Sequence, residues 1–385
     1  MEKTYSPHTV VWEITWKCNA KCIHCGSDCI SEEKQNQLST AECLDIIKDL
    51  KRIGAKKITL SGGDPLLRPD FPVLAGEIKS LGMDVAFITN SIALDDEKIK
   101  IIRDIKPRSF GISIDAGEEW MHDYIRGHQG CFNHALESII KLKENGVEPS
   151  VVTTTHKLNF PQLPILRNIL DVMEVRAWQI QYADFIGRMK TETMITEAQF
   201  KKQAEFIYET QRKLGHKMYV TGADVTGYMS ELSKKISLGR WHGCHAGMRA
   251  LGLGSDGTVR GCLSQQIDKY IEGNIHNRSL YEIWNDPKSF AYNRCFDIKT
   301  LGGYCAECEY GEVCKGGCTR SASKEGDCRC NPYCLHKFDK IGYSNDYQAR
   351  TYFTKEEIAN LYNEVKPLPQ DFYDKFNPYK DILNH

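Results

Sequence analysis

No run of 18 apolar residues occurs in this sequence, which excludes an apolar helix spanning a membrane. The N-terminus, Met1 to Val10, has no apolar h-region, so no signal peptide is expected. No charge of one sign dominates: 50 Lys and Arg face 51 Asp and Glu, for a net charge of −1. The basic surplus that draws a protein to nucleic acid or to an acidic membrane is missing. Low-complexity tracts are missing too. These absences lead to an expectation of a cytoplasmic protein with no nucleic-acid partner and no membrane partner.

Cysteine, by contrast, is abundant. Sixteen in 385 residues is high for a chain expected in a reducing compartment, where thiols serve as metal ligands more often than as disulfides. Their distribution is uneven. Cys18, Cys22, Cys25 and Cys29 crowd the N-terminal end, Cys43 and Cys131 stand alone, and ten fall between Cys244 and Cys334.

From Thr9 to about Gly215 short apolar runs alternate with longer amphipathic ones. Strands are predicted over Thr9–Thr15, Lys57–Leu60, Asp84–Thr89, Ser109–Ile114, Ser150–Thr155 and Trp178–Tyr182. Helices are predicted over Thr40–Ile53, Phe71–Leu81, Asp95–Ile105, Cys131–Asn145, Gln162–Met173 and Glu197–Leu214. Such alternation builds a parallel sheet covered by helices. Six repeats are fewer than the eight of a closed barrel, so an open or partial barrel is expected, with its chemistry at the C-terminal strand ends. Around residues 216–240 the alternation stops and a Cys- and Gly-rich segment follows. Small modules of that kind often rely on metal in place of a full core. Past residue 340 comes an aromatic tail with one predicted helix, opened by a capping box of Thr354 and Glu357. The tail is expected to pack back on the body.

The run Cys18-Asn-Ala-Lys-Cys22-Ile-His-Cys25 directly follows the first predicted strand. Three thiolates on one loop can converge on one metal centre. Four would fill a 4Fe-4S cluster from the protein side; three leave one iron open to a cofactor or substrate. A zinc ribbon uses paired knuckles and four ligands, and this spacing differs from it. The motif resembles the signature of the radical S-adenosylmethionine superfamily. That resemblance implies an open iron that chelates the cofactor's amino and carboxylate groups, and a 5′-deoxyadenosyl radical that abstracts a substrate hydrogen.

Further matches fall at the other strand ends. Ser61-Gly62-Gly63-Asp64-Pro65 is similar to the family's Gly-Gly-Glu motif, with Asp64 where Glu is usual. Gly62 and Gly63 let backbone approach a ligand, and the Asp64 carboxylate can accept from an ammonium. The plainer alternative is a strand-to-helix turn. Thr89-Asn90 is like the family's Thr-Asn-Gly. Ser113, Asp115 and Arg126 follow the fourth strand, and arginine's fork of donors suits a carboxylate. Gly187-Arg188 resembles a loop near the adenine. His24 stands at a position usually aromatic, able to pack the adenine or simply to sit in its loop. The resemblance thus implies that His24, Gly62, Gly63, Asp64, Asn90, Ser113, Asp115, Arg126 and Arg188 bind S-adenosylmethionine.

Near the C-terminus, Cys244, Gly257-x4-Cys262, Cys305-x2-Cys308-x5-Cys314-x3-Cys318 and Cys334 resemble the SPASM domain, as do Gly273–Ile275 and Leu280–Trp284. The resemblance implies a distal 4Fe-4S cluster on Cys305, Cys308, Cys314 and Cys334, and a proximal one on Cys244, Cys262 and Cys318. The fourth proximal position stays open among Cys295, Cys328, Cys330, His245 and an unliganded iron. Structural zinc sites are the alternative. Cys29, Cys43 and Cys131 read as ordinary buried or loop thiols.

The expected architecture is therefore α/β. A partial (β/α)6 TIM-like barrel spans residues 1–215, a small Cys-rich α+β auxiliary iron–sulfur domain spans 216–340, and the tail spans 341–385. The expected cofactors are S-adenosylmethionine and three 4Fe-4S clusters, one catalytic and two auxiliary. The expected substrate is a ribosomally made peptide. A flavodoxin- or ferredoxin-type electron donor is implied by the resemblance. With about eight residues before the first strand, leader recognition falls to the body or to a separate protein. One alternative is an enzyme acting on a small molecule such as a tetrapyrrole. Another is an anaerobic sulfatase maturase, whose family places an aspartate base where Leu263 follows Cys262; leucine takes no proton. A zinc-binding or electron-transfer protein is the non-enzymatic alternative. Asp184, Arg188 and His156 lie near strand ends and can face the cavity; none of them is assigned a catalytic role.

Overall fold

The computed structural model describes residues 5–30, 32, 36–223, 226–237, 241–322 and 328–341. One sheet organises it. Its strands are β1 (Thr9–Thr15), β2 (Lys57–Gly62), β3 (Asp84–Thr89), β4 (Ser109–Ser113), β5 (Pro149–Thr155), β6 (Ala177–Tyr182), β7 (Tyr219–Gly222), β8 (Ala250–Leu253), β9 (Thr258–Arg260) and β10 (Ile271–Asn274). The spatial order is β10-β9-β8-β1-β2-β3-β4-β5-β6-β7. From β8 to β7 every pairing is parallel, while β9 and β10 are antiparallel additions. Among the described residues no pairing joins β7 to β10, so the sheet is open.

The first six strands lie where the apolar runs predict them. The helices α1 (Thr40–Arg52), α2 (Phe71–Ser80), α3 (Asp96–Ile105), α4 (Glu119–Arg126), α5 (Cys131–Glu144) and α6 (Leu163–Val172) lie between them, and α7 (Glu197–Leu214) follows β6. Ser39 and Glu42 form a reciprocal capping box that starts α1, and Thr196 and Gln199 do the same for α7. Val10, Trp12 and Ile14 of β1 are wholly buried against the apolar faces of these helices. Burying such a side chain contributes about 1.5–3 kcal/mol, so the core fixes β1 and the loop that leaves it.

Two further parallel strands extend the sheet beyond the six predicted, besides the antiparallel β9 and β10. β7 adds to β6, and β8 pairs along β1 from Thr9↔Ala250 to Trp12↔Leu253. The main sheet therefore runs on across residue 216 into the Cys-rich segment. That segment also contains α8 (Glu231–Ile236), α9 (Leu280–Asn285), α10 (Ala291–Arg294), α11 (Gly303–Ala306), α12 (Gly311–Cys314), α13 (Thr319–Ala322) and α14 (Leu335–Ile341). It is fastened to the body by single polar contacts: Trp284 Nε1 donates to Tyr5 O at 3.2 Å, and Tyr333 Oη donates to Ile195 O at 2.6 Å. The predicted tail helix at Thr354 lies outside the described residues.

Candidate active site

A cavity of about 400 Å³ opens over the C-terminal ends of the strands. Cys18, Cys22 and Cys25 line it, on the loop that leaves β1. Their sulfurs are reached by donors. Ala20 N donates to Cys18 Sγ at 3.4 Å and Asn90 Nδ2 at 3.6 Å, while Arg126 Nη1 donates to Cys22 Sγ at 3.7 Å. The Cys25 sulfur accepts from Cys29 and from backbone amides, which lowers its pKa to about 6. Burial drives the Cys18 thiol up to about 12 and raises Cys22 as well. Loading metal on such thiols displaces their protons and repays the burial.

The cysteine loop is held on two sides. Lys21 N donates to Arg126 O and Ile23 N to Ile125 O, each at 2.9 Å, so the end of α4 anchors its middle. Arg188 clamps the rest: Nε donates to Cys22 O at 2.8 Å, and Nη1 reaches Asp28 Oδ1 at 2.7 Å and Cys29 O at 2.9 Å. Arg188 lines the cavity as expected, and its Nε and Nη1 donors hold this loop.

The glycine pair works by close approach. A Cβ on Gly63 would lie 2.6 Å from Trp16 O and closer still to Lys17 O. Gly62 adopts φ 140°, open only to glycine without strain. Only a bare backbone lets the β2 turn meet the cysteine loop, through Gly63 N to Thr15 O and Asp64 N to Lys17 O, both at 2.8 Å.

Asp64 does not line the cavity and is wholly buried. Its carboxylate accepts from Thr89 Oγ1 at 2.6 Å, Asn90 N at 2.8 Å and Leu66 N at 3.0 Å. It ties the ends of β2 and β3 together, and burial raises its pKa. Asp115, also expected at the cofactor, likewise sits behind the cavity. Its Oδ2 pairs with Arg126 Nη2 at 2.8 Å and with His24 Nε2 at 3.5 Å, and Oδ1 accepts from Thr154 N at 2.9 Å. Burial works against its charge, but the Arg126 guanidinium is the largest opposing influence and the pKa stays below the ordinary value. Asp115 thus positions two residues that do line the cavity. His24 is held neutral, burial driving its pKa down to about 3, and among the described residues its Nδ1 finds no hydrogen-bond partner. Gly62, Gly63, Asn90, Ser113 and Arg126 line the cavity as expected. His156, a cavity candidate in the sequence, is buried outside the lining.

The glutamines of β6 were not foreseen. Gln179 and Gln181 alternate along β6 with buried Trp178 and Ile180, and both face the cavity. Their period of two was the available signal. Beyond them Asp184 accepts from Ser321 Oγ at 2.7 Å, and Tyr182 Oη contacts the same hydroxyl at 3.2 Å. Leu263, Ser264, Cys318 and Arg320 complete this wall, so the Cys-rich segment borders the same cavity as the N-terminal cysteines. Cys318 and Cys244 are in thiol contact, with Cys262 near enough to act on Cys318. Cys305, Cys308, Cys314 and Cys334 form a separate group, each acting electrostatically on others of the set.

Among the described residues no three His, Cys, Asp or Glu side chains are gathered tightly enough to grip a single metal ion. Cavity-lining thiols with donors on their sulfurs, beside a glycine turn, fit a larger inorganic cluster and a cofactor at its open side.

Comparison with known proteins agrees. The Radical SAM superfamily model matches residues 12–159, and the iron–sulfur cluster-binding domain SPASM matches residues 244–309. The chain is 27% identical over 344 residues to the AdoMet-dependent heme synthase of Methanosarcina barkeri, covering 87% of this chain and 98% of that protein. It is 25% identical over 317 residues to the PqqA peptide cyclase of Bradyrhizobium diazoefficiens, covering 81% of each. Streptococcus suis SuiB bound to its precursor peptide SuiA shares the fold, with a TM-score of 0.71 at 15% identity over 86% of this chain and 76% of that one.

Proposed function

We propose, given that this chain belongs to the radical S-adenosylmethionine superfamily and carries a SPASM domain, that it takes a hydrogen atom from a ribosomally made peptide. The observation that carries this reading is the single cavity shared by Cys18, Cys22 and Cys25 on one wall and Gln179, Gln181, Ser264 and Ser321 on the other. Amide and hydroxyl side chains on that second wall can donate to and accept from a peptide backbone.

Cys18, Cys22 and Cys25 would hold the catalytic 4Fe-4S cluster, and Gly62, Gly63, Asn90, Ser113 and Arg126 would line its cofactor. When bound, that pair supplies the 5′-deoxyadenosyl radical that abstracts hydrogen. The protein's own work is positioning. Arg126 donates to the Cys22 sulfur and Asn90 to the Cys18 sulfur, and hydrogen bonds to ligand sulfurs would help set the potential of a cluster held there. Asp115 fixes Arg126, and Arg188 fixes the loop. Cys244, Cys262 and Cys318 would hold the proximal auxiliary cluster, and Cys305, Cys308, Cys314 and Cys334 the distal one. Leu263 lines the cavity beside Cys262 and can take no proton there, which weighs against a sulfatase maturase.

A second reading, a tetrapyrrole-processing enzyme, draws on the similarity to heme synthase over nearly the whole of that relative. One experiment separates the two. The anaerobically reconstituted enzyme is incubated with S-adenosylmethionine, a reductant, and either iron porphyrins or the small peptides encoded beside its gene. A mass change in a peptide supports the proposal. Porphyrin turnover with every peptide unchanged would replace it by the second reading.

A further inference from the structure

The distal group contains a fifth thiol. Leu301 and Arg329 form a parallel bridge, with Gly302 N donating to Arg329 O at 3.1 Å and Arg329 N to Thr300 O at 2.7 Å. This pairing lays the segment around Cys330 along the approach to α11, which carries Cys305. A Cβ on Gly303 would sit 3.2 Å from Cys330 Sγ, so the sulfur is lodged against the start of that helix. The Cys330 and Cys305 thiols share a hydrogen bond. Cys334 also lies within electrostatic reach of both Cys308 and Cys330. By contrast, Cys295 and Cys328, other candidates for the unfilled proximal position, are exposed.

A four-iron cluster takes four protein thiolates. Cys305, Cys308, Cys314, Cys330 and Cys334 offer one more than that. Two sulfurs already in mutual contact stand where one iron corner can serve only one of them. We propose that Cys330 is a ligand position of the distal cluster, sharing one iron with Cys305, so that either thiolate completes the centre. Cys305 comes from a short helix and Cys330 from a paired loop, so the two hold the iron from different backbone segments. Cys330 thereby belongs to the distal group, and the proximal vacancy is not its place. The proposal rests on the reading that the distal cysteines hold a cluster.

The test uses the full chain, reconstituted anaerobically, with iron and sulfide counted per protein and the reduced clusters followed by paramagnetic resonance. Variants Cys305→Ala, Cys330→Ala and the double variant are compared with Cys314→Ala. Each single variant of the pair is expected to keep all its iron. The double variant is expected to lose about four iron atoms, one cluster's worth, as Cys314→Ala does. Loss of about four iron atoms from Cys305→Ala alone overturns the proposal, as does full retention in the double variant. If Cys314→Ala itself loses nothing, the distal-cluster reading falls and takes the proposal with it. Alkylation mapping of the loaded wild-type protein is a check that needs no variant. Label divided between Cys305 and Cys330 supports a shared iron; label confined to Cys330 overturns it.

Discussion

Replacing Gly63 by alanine tests whether the glycine turn and the cysteine loop form one unit. The added Cβ would sit 2.6 Å from Trp16 O, and nearer to Lys17 O. A comfortable carbon–oxygen separation is about 3.3 Å, so the two backbones must part by at least about 0.7 Å. Neither partner is a flexible side-chain tip; both are backbone carbonyls in the run leading to Cys18. Overpacking of this kind costs about 1–3 kcal/mol. It also strains the 2.8 Å bonds from Gly63 N to Thr15 O and from Asp64 N to Lys17 O. The expected result is a lower denaturation midpoint together with weaker S-adenosylmethionine binding, roughly tenfold for each 1.4 kcal/mol lost at the site. Equilibrium binding to the reconstituted protein and chemical denaturation measure the two effects. A G63A protein with wild-type affinity and stability would refute the close-approach reasoning.

Other outcomes follow from the same contacts. Asp115→Asn leaves the buried Arg126 guanidinium without its charge partner 2.8 Å away and should lower stability by about 3–5 kcal/mol in urea unfolding; a loss under 1 kcal/mol would show that the pair is not structural. Arg188→Lys replaces a fork that spans Cys22 O, Asp28 and Cys29 O with a single point donor, so the N-terminal cluster should be lost faster to a chelator, and an unchanged loss rate would count against the clamp. Cys43→Ala and Cys131→Ala remove buried thiols that do not line the cavity. Both should keep the full iron content, and loss of a cluster's worth of iron from either would revise the ligand assignment.

The strands β1 to β6 were legible because each is a compact apolar run between strong helix patterns. β8 was not, since Ala250–Leu253 is short and finds its partner β1 more than two hundred residues away; nothing local announces that pairing. The cysteines and glycines were legible by spacing, because covalent proximity on one loop fixes which of them can converge. Polar roles were harder to read. Asp64 and Arg188 fall where the family pattern suggests a cofactor contact, and each also makes protein contacts that spacing does not foretell: Asp64 accepts from Thr89 Oγ1 and two backbone amides, and Arg188 donates to Cys22 O, Cys29 O and Asp28. Spacing places a residue at a strand end and does not say which neighbour satisfies its charge. Gln179 and Gln181 carried a signal in their alternation with Trp178 and Ile180, which marks one polar face on an otherwise buried strand.

The most direct test of the central claim is one anaerobic sample of the reconstituted chain, assayed for iron and for 5′-deoxyadenosine after reduction with S-adenosylmethionine present. The account predicts about twelve iron atoms per chain, four for each of three clusters, and reductant-dependent release of 5′-deoxyadenosine that disappears in Cys22→Ala. Bound zinc, little iron and no 5′-deoxyadenosine would contradict it.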